Sequence, residues 1–359
     1  MFCYPRHVPV HSQIAVMPSS RKYPEDSVPA AALQDLQALA RAWRSAGSHG
    51  GLAASAAHHA ADGILTLAEQ RLLLSTAFTA LADFAGIYTV QALANILACH
   101  GGEPQSLWAT LLLPAEHNAG MEQNMLRAEM SRVARKLNVS WRGEQTRCLP
   151  AMREPMVACQ MLALWAAQQP YQPQSIQAGD HLILTKNLAG AAAALMARAK
   201  EEELSEAFDL KFARRCQQLA APTQTSVLAE ARCAWEVNGI HALRDLFHAG
   251  LAGVLHDLMD HANLDVEINL AEIEILPEAK LLCDYFGVDP LAVFAPGALV
   301  IVGEPGGCEA VLGKLRLARI PAKRIGQVLK AGEGRWLVEG GERVKLLRPA
   351  RDPLVAILS

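Results

Sequence analysis

The sequence predicts an α+β protein, and three observations predict it. Short apolar runs, such as His181–Thr185 and Ala298–Val302, alternate with longer stretches of helical period. The 359 residues, 51% hydrophobic and 19% charged, suffice for two ordinary domains, each with its own core. A proline-rich stretch poor in apolar residues, Pro170-Tyr-Gln-Pro-Gln, separates two such series and reads as a linker. The expected organisation is a leader with an amphipathic helix over 1–50, a first domain over 51–168 and a second over 174–359.

Residues 1–30 hold five prolines and no clear periodicity, the pattern of an extended leader. Leu33, Leu36, Leu39 and Ala40 then recur at helical spacing, and Ser48-His49-Gly50-Gly51 ends that helix. Gly63–Leu67 and Arg71–Thr76 are short apolar runs that read as strands. A helix follows over Val90–Cys99, then a strand over Leu107–Leu113, closed by Pro114. Glu122–Leu137 is helical, with Met125, Ala128, Val133 and Leu137 available for a core face. Met156–Ala166 is apolar and fits either type. Beyond the linker, the strand His181–Thr185 precedes a helix over Ala191–Glu203 and a long helical region from about Thr225 to His261. Strands at Val266–Asn269 and Ala298–Val302 alternate with helices at Glu278–Phe286 and Gly307–Leu317, and short strands near Ile325 and Trp336 close the series.

A net charge of −3, with no block of like charges, points away from nucleic acid and anionic membrane surfaces as partners. The most apolar stretches, such as Leu188–Ala197, fall well short of the ~20 residues that span a bilayer. The first twenty residues have no secretory apolar core, so a soluble, cytoplasmic protein is expected. Eight cysteines occur with no Cys-x-x-Cys spacing, the pattern of reduced, mostly buried thiols.

Motifs narrow this further. Residues 72–104 contain Ser75-Thr76-Ala77-Phe78, Asn95-Ile96-Leu97-Ala98 and Gly101-Gly102-Glu103-Pro104. This run resembles the N-terminal half of the aminoimidazole-ribonucleotide (AIR) synthetase superfamily, where the signatures read Ser/Thr-x-Asp and Asn-Asp followed by Gly-x-x-Pro. Gly179-Asp180-His-Leu-Ile-Leu-Thr185-Lys186 resembles the segment that opens the second domain of selenophosphate synthetases. Arg244-Asp245-Leu-Phe-His-Ala-Gly250-Leu251-Ala252 and Cys283-Asp-Tyr-Phe-Gly287-Val-Asp289-Pro290-Leu291 resemble segments of the hydrogenase maturation factors of carbamoyl-dehydratase type. Ile325-Gly326-x-Val and Arg348-Pro349 complete the match, which covers roughly residues 60–358.

The resemblance implies an AIR-synthetase-like fold, with an N-terminal sheet domain that dimerises and a C-terminal α/β domain. It also implies phosphoryl transfer from ATP, with magnesium gathered by carboxylates around the phosphates. Asp62 and Glu144 match acidic signature positions and are the implied metal residues. The implied nucleotide set is Asp62, Asn95, Glu144, Lys186, Asp245 and Gly250. Lys186 serves as a point charge or is simply solvated; Asp245 caps a helix whose N-terminus faces phosphates. Asp62 and Glu144 read equally as ordinary loop acids, and Asp180 as a turn residue.

The departures are Ala77, Ile96 and Pro296, where relatives carry carboxylates; the terminal cysteine of the maturation factors has no counterpart in Ala356-Ile357-Leu358-Ser359. Two functions follow. One is an ATP-dependent enzyme acting on a small amide, carbonyl or similar substrate with a depleted metal site. The other is a catalytically degenerate homodimeric scaffold or regulatory subunit that binds a protein partner. A separate reading places His241, Asp245 and His248 on one helix face, a spacing able to seat a transition metal.

Overall fold

The computed structural model describes residues 63–67, 70–79, 84–115, 119–150, 152, 154–166, 175–221, 224–247 and 249–358. The leader, the first amphipathic helix, Asp62, the 170–174 linker and His248 lie outside them. The described residues fall in one compact unit and build two sheets.

The first sheet has five strands in the order β1-β2-β5-β3-β4: β1 (Gly63–Leu67), β2 (Gln70–Thr79), β3 (Gly102–Pro114), β4 (Ser140–Leu149) and β5 (Met156–Trp165). Met156–Ala166, ambiguous by pattern, is thus a strand; it lies between β2 and β3 and pairs antiparallel with both. Alternation sets the two faces. Leu107, Leu111, Val157 and Met161 point into a core shared with helices α1 (Ala85–Cys99) and α2 (Ala119–Lys136). On the opposite face, Leu72 and Leu74 pair across the ladder with Leu164 and Leu162, and Leu112 pairs with Met156. These six side chains are only half-buried, so this apolar face has little of the chain over it.

The second sheet runs β12-β11-β8-β10-β6-β9-β7, with β6 (His181–Thr185), β7 (Ile240–Asp245), β8 (Asp265–Asn269), β9 (Leu299–Gly303), β10 (Ala322–Leu329), β11 (Trp336–Glu339) and β12 (Glu342–Lys345). Leu182, Leu184, Val300 and Val302 face Leu251, Leu255 and Leu258 of α7 (Gly250–Ala262). Ile183, Leu243 and Ile301 face the other way, onto α6 (Leu228–Trp235) and α9 (Pro305–Leu317). The remaining helices are α3 (Gly190–Ala199), α4 (Glu201–Ala207), α5 (Leu210–Cys216), α8 (Pro277–Phe286) and α10 (Leu354–Leu358).

Two expectations are corrected. The helix over Ala191–Glu203 is two helices, broken at Lys200. The long helical region from Thr225 to His261 is helix–strand–helix. Asn238-Gly239 turns the chain, with Gly239 at φ +79°, and Ile240–Asp245 then pairs with β9. Burial in the sheet outweighs a local composition that suits a helix.

Helix α1 is buried along all of its length, which explains why it lacks a polar face. One side packs on the first sheet through Ile87, Val90, Leu93 and Leu97. Tyr88 and Ala92 meet helices of the second half, and Ala98 and Cys99 meet its sheet. The amide of Gly86 in its first turn donates to Glu129 Oε2 at 3.1 Å, so α2 supplies the cap that Phe84 does not.

At its C-terminal end, buried His100 donates from Nδ1 to Ile96 O at 2.7 Å, and burial holds its pKa down to about 4. A folded pKa below the unfolded value of ~6.5 leaves stability intact above that pH. As pH falls from 6.5 towards 4, only the unfolded chain takes up the proton, and stability drops. Urea titrations at pH 7 and pH 4.5 should differ by roughly 2–3 kcal/mol from this group alone. His100→Gln should lose that part of the pH dependence.

Candidate functional site

The site is built around the loop that precedes α6. Asn95, fully buried on α1, donates from Nδ2 to Thr225 O at 2.9 Å and accepts from the amide of Val227 at 3.0 Å. An amide side chain suits this role, because one end donates and the other accepts. The two bonds hold Ser226 between them. Lys186, the residue after β6, donates from Nζ to Ser226 O at 2.9 Å. The same ammonium stands 2.5 Å from Glu230 Oε1, a charge contact without hydrogen-bond alignment.

Asp245, the last residue of β7, joins this group from behind through a hydrogen bond with Asn95. Its Oδ2 is buried without a partner. Burial lifts its carboxyl to about 6, against the opposing pull of Arg244 and Asn95. It is not the helix cap expected of it: the N-cap of α7 is Ala249, at φ 53°, with no side-chain cap. Gly250 then begins the helix at φ +59°, where a Cβ would stand 2.6 Å from both Leu291 O and Val293 O, so only glycine fits. Two amides at this end of α7 are met within the chain. Ala252 N donates to Leu291 O at 2.8 Å, and the Asp352 carboxyl faces the amide of Ala249.

Beside Lys186 opens a cavity of about 190 Å³, lined among others by Asn187, Gln224, Thr225, Pro296 and Gly297. Gly297, at φ +92°, lies so close to the loop that a Cβ there would stand 2.9 Å from Thr225 Cα. Pro296 therefore lines the cavity at a position where relatives are expected to carry a carboxylate. Ala77 packs against the core of the first sheet, and Ile96 is buried on α1 beside Asn95.

The structure thus joins Asn95, Lys186 and Asp245 around the 225–227 loop, while leaving Gly250 against Leu291 and Val293. It does not bring Glu144 to them. Glu144 lies on β4 and takes hydrogen bonds from Arg127 Nε at 2.7 and 2.9 Å, from Gln123 and from Thr146. Burial raises its pKa, but those bonds outweigh it and hold the carboxyl below its usual range. Asp62 lies outside the described residues. Asp180 acts as a turn residue, accepting from Gln177 N at 2.9 Å and from His241 Nδ1 at 2.7 Å. His241 and Asp245 are on a strand rather than a helix face, and His241 is engaged by Asp180, which corrects the transition-metal reading. Among the described residues no group of three His, Cys, Asp or Glu side chains is arranged to hold a metal ion. Sequence reasoning missed Thr225, Ser226 and Glu230, since a glutamate in a short helix ordinarily reads as solvated.

Residues 177–339 match the family model for the AIR synthase related protein, C-terminal domain. Over those residues the chain is similar to the AIR synthetase superfamily. Carbamoyl dehydratase HypE of Cupriavidus necator is 34% identical over 116 residues, which is 30% of this chain and 32% of that protein. The chain therefore aligns with about a third of the length of this curated relative. Escherichia coli HypE, a hydrogenase maturation protein, superposes with a TM-score of 0.70 at 20% identity, covering 90% of this chain and 99% of that one. Hydrogenase maturation protein HypE in complex with ATP gives a TM-score of 0.67 at 19% identity, covering 79% and 87%. At these identities the solved structures establish the AIR-synthetase-like fold. No described helix is long and apolar enough to cross a membrane.

Asp245 provides a direct test of the site's strain. A carboxyl raised from 3.8 to about 6 subtracts stability once the pH exceeds its unfolded pKa, and the full cost is reached above pH 6. Asp245→Asn should therefore stabilise the protein by ~2 kcal/mol at pH 7.5 and have little effect at pH 3.5. Urea unfolding of both proteins at the two pH values measures it.

Proposed function

We propose that this chain is an ATP-binding protein similar to the hydrogenase maturation factors, with ATP-dependent phosphoryl transfer to a small amide, carbonyl or similar substrate as its inherited chemistry. The observation that carries this reading is the convergence of Asn95, Lys186 and Asp245 on the 225–227 loop beside the cavity. The likeness to a HypE structure that contains ATP supports the choice of nucleotide. In this reading Lys186 meets phosphate charge, and Asn95 fixes the loop that positions it. The polar groups of Asn187, Gln224 and Thr225 line the space beside them. A division at 51–168 and 174–359, one sheet to each domain, goes with it.

Magnesium does not fit the described donors. Positions 77 and 96 are apolar, and Glu144 is neutralised by Arg127. Asp245 is desolvated and half-protonated near pH 6. A divalent ion needs several oxygen ligands, at least some of them anionic. We therefore route no step through it. The second reading, a degenerate homodimeric scaffold binding a protein partner, is favoured by the commitment of Lys186 to Glu230 and by the half-exposed apolar face of the first sheet.

Calorimetric titration with a non-hydrolysable ATP analogue separates the two readings. The enzyme reading expects a micromolar dissociation constant, about 8 kcal/mol, changed less than about threefold when chelator replaces magnesium. Absence of binding in both buffers would leave the scaffold. For the dimer, a charge at the centre of the Leu74–Leu162 pair should be decisive. Leu162→Glu should shift the light-scattering mass from dimer to monomer while leaving the circular dichroism spectrum unchanged. A wild type already monomeric at micromolar concentration would refute that use of the face.

A further inference from the structure

Lys186 is the cation that lines the cavity, yet its ammonium already has one hydrogen-bond acceptor and one carboxylate in charge contact. The acceptor is Ser226 O at 2.9 Å, and Glu230 Oε1 stands 2.5 Å away. The exposures of the pair are unequal: the Glu230 side chain is 2% exposed and that of Lys186 is 31%. Glu230 is fixed by its position in α6, where it is buried beside Ala231 and Ala234. Lys186 has the freedom to turn, with a flexible stem and one side open to solvent. An anion entering beside Lys186 must therefore compete with a carboxylate of the protein itself.

We infer that Glu230 is a positioning residue that holds the Lys186 ammonium in an internal ion pair and so sets the affinity of the cleft for phosphate-bearing ligands. The inference rests on the nucleotide-binding reading above and goes beyond it. The local charge balance supports it. With the ion pair closed, Lys186 contributes little net positive charge to a triphosphate. With Glu230 neutralised, the full charge acts on the ligand in a partly desolvated site.

The choice of variants follows from the unequal burial. Glu230→Gln removes the buried charge and leaves a lysine that solvent can reach, so it should fold. Lys186→Met strands a buried carboxylate and should be less stable. Calorimetric titration with the non-hydrolysable ATP analogue, and separately with inorganic pyrophosphate, should show Glu230→Gln binding about tenfold tighter than wild type. Glu230→Asp should restore part of the wild-type behaviour, and the gain should vanish when Lys186→Met is added. Binding by a folded Glu230→Gln protein that equals or falls below wild type would overturn the inference while leaving the nucleotide reading intact. Binding by neither protein would overturn the nucleotide reading, and this inference with it. Should Glu230→Gln fail to fold, the lysine Nζ resonance of Lys186 in wild type decides the matter. It must shift when the analogue binds, and a fixed resonance during measurable binding refutes the competition.

Discussion

The pair of hydrogen bonds from Asn95 to the 225–227 loop is the contact on which the rest of the site depends. It joins a helix that belongs to the core of the first sheet to a loop that belongs to the second. Because α1 is buried on every side, Asn95 cannot turn to water, and its amide must be satisfied by protein. The loop is thereby fixed. It in turn fixes Ser226 O, which holds Lys186, and Thr225, against which Gly297 packs. Loss of Asn95 would leave two backbone groups and a carboxyl without partners in a dry place.

The electrostatics of the cleft follow from that burial. Asp245 carries an unpartnered oxygen and a carboxyl lifted to about 6, a state that persists only where the surroundings over-determine it. Lys186 and Glu230 balance each other a short distance away. In a fold whose relatives are expected to surround ATP with carboxylates, this chain has apolar side chains at 77 and 96 and a proline at 296. Among the described residues that line the cavity, the cation is the Lys186 side chain.

Much of this was legible in the sequence, for physical reasons. Strands β6 and β9 are continuous apolar runs because both faces of their sheet are covered, and α2, α8 and α9 announce themselves by period. The strand at Ile240–Asp245 was not legible, since only Asn238-Gly239 marks its start and the flanking segments are strongly helical. Among candidate site residues, Asn95, Lys186, Asp245 and Gly250 were singled out through the resemblance, and the first three meet at the 225–227 loop. Glu144 was not separable from them by pattern. Its capture by Arg127 depends on how α2 lies across β4, a contact that no local motif encodes. Glu230 was hidden for a similar reason: its partner is 44 residues away, and nothing in its own helix marks it as buried.

The claim at the centre of this account is that the cleft has exchanged a divalent-ion site for a lysine. Electron paramagnetic resonance of Mn²⁺ titrated into the nucleotide-free protein tests it most directly. The account predicts that the six-line signal of the aqueous ion persists undiminished to millimolar concentration. Stoichiometric loss of that signal at micromolar concentration would contradict it, since carboxylates would then still close around a cation in this chain.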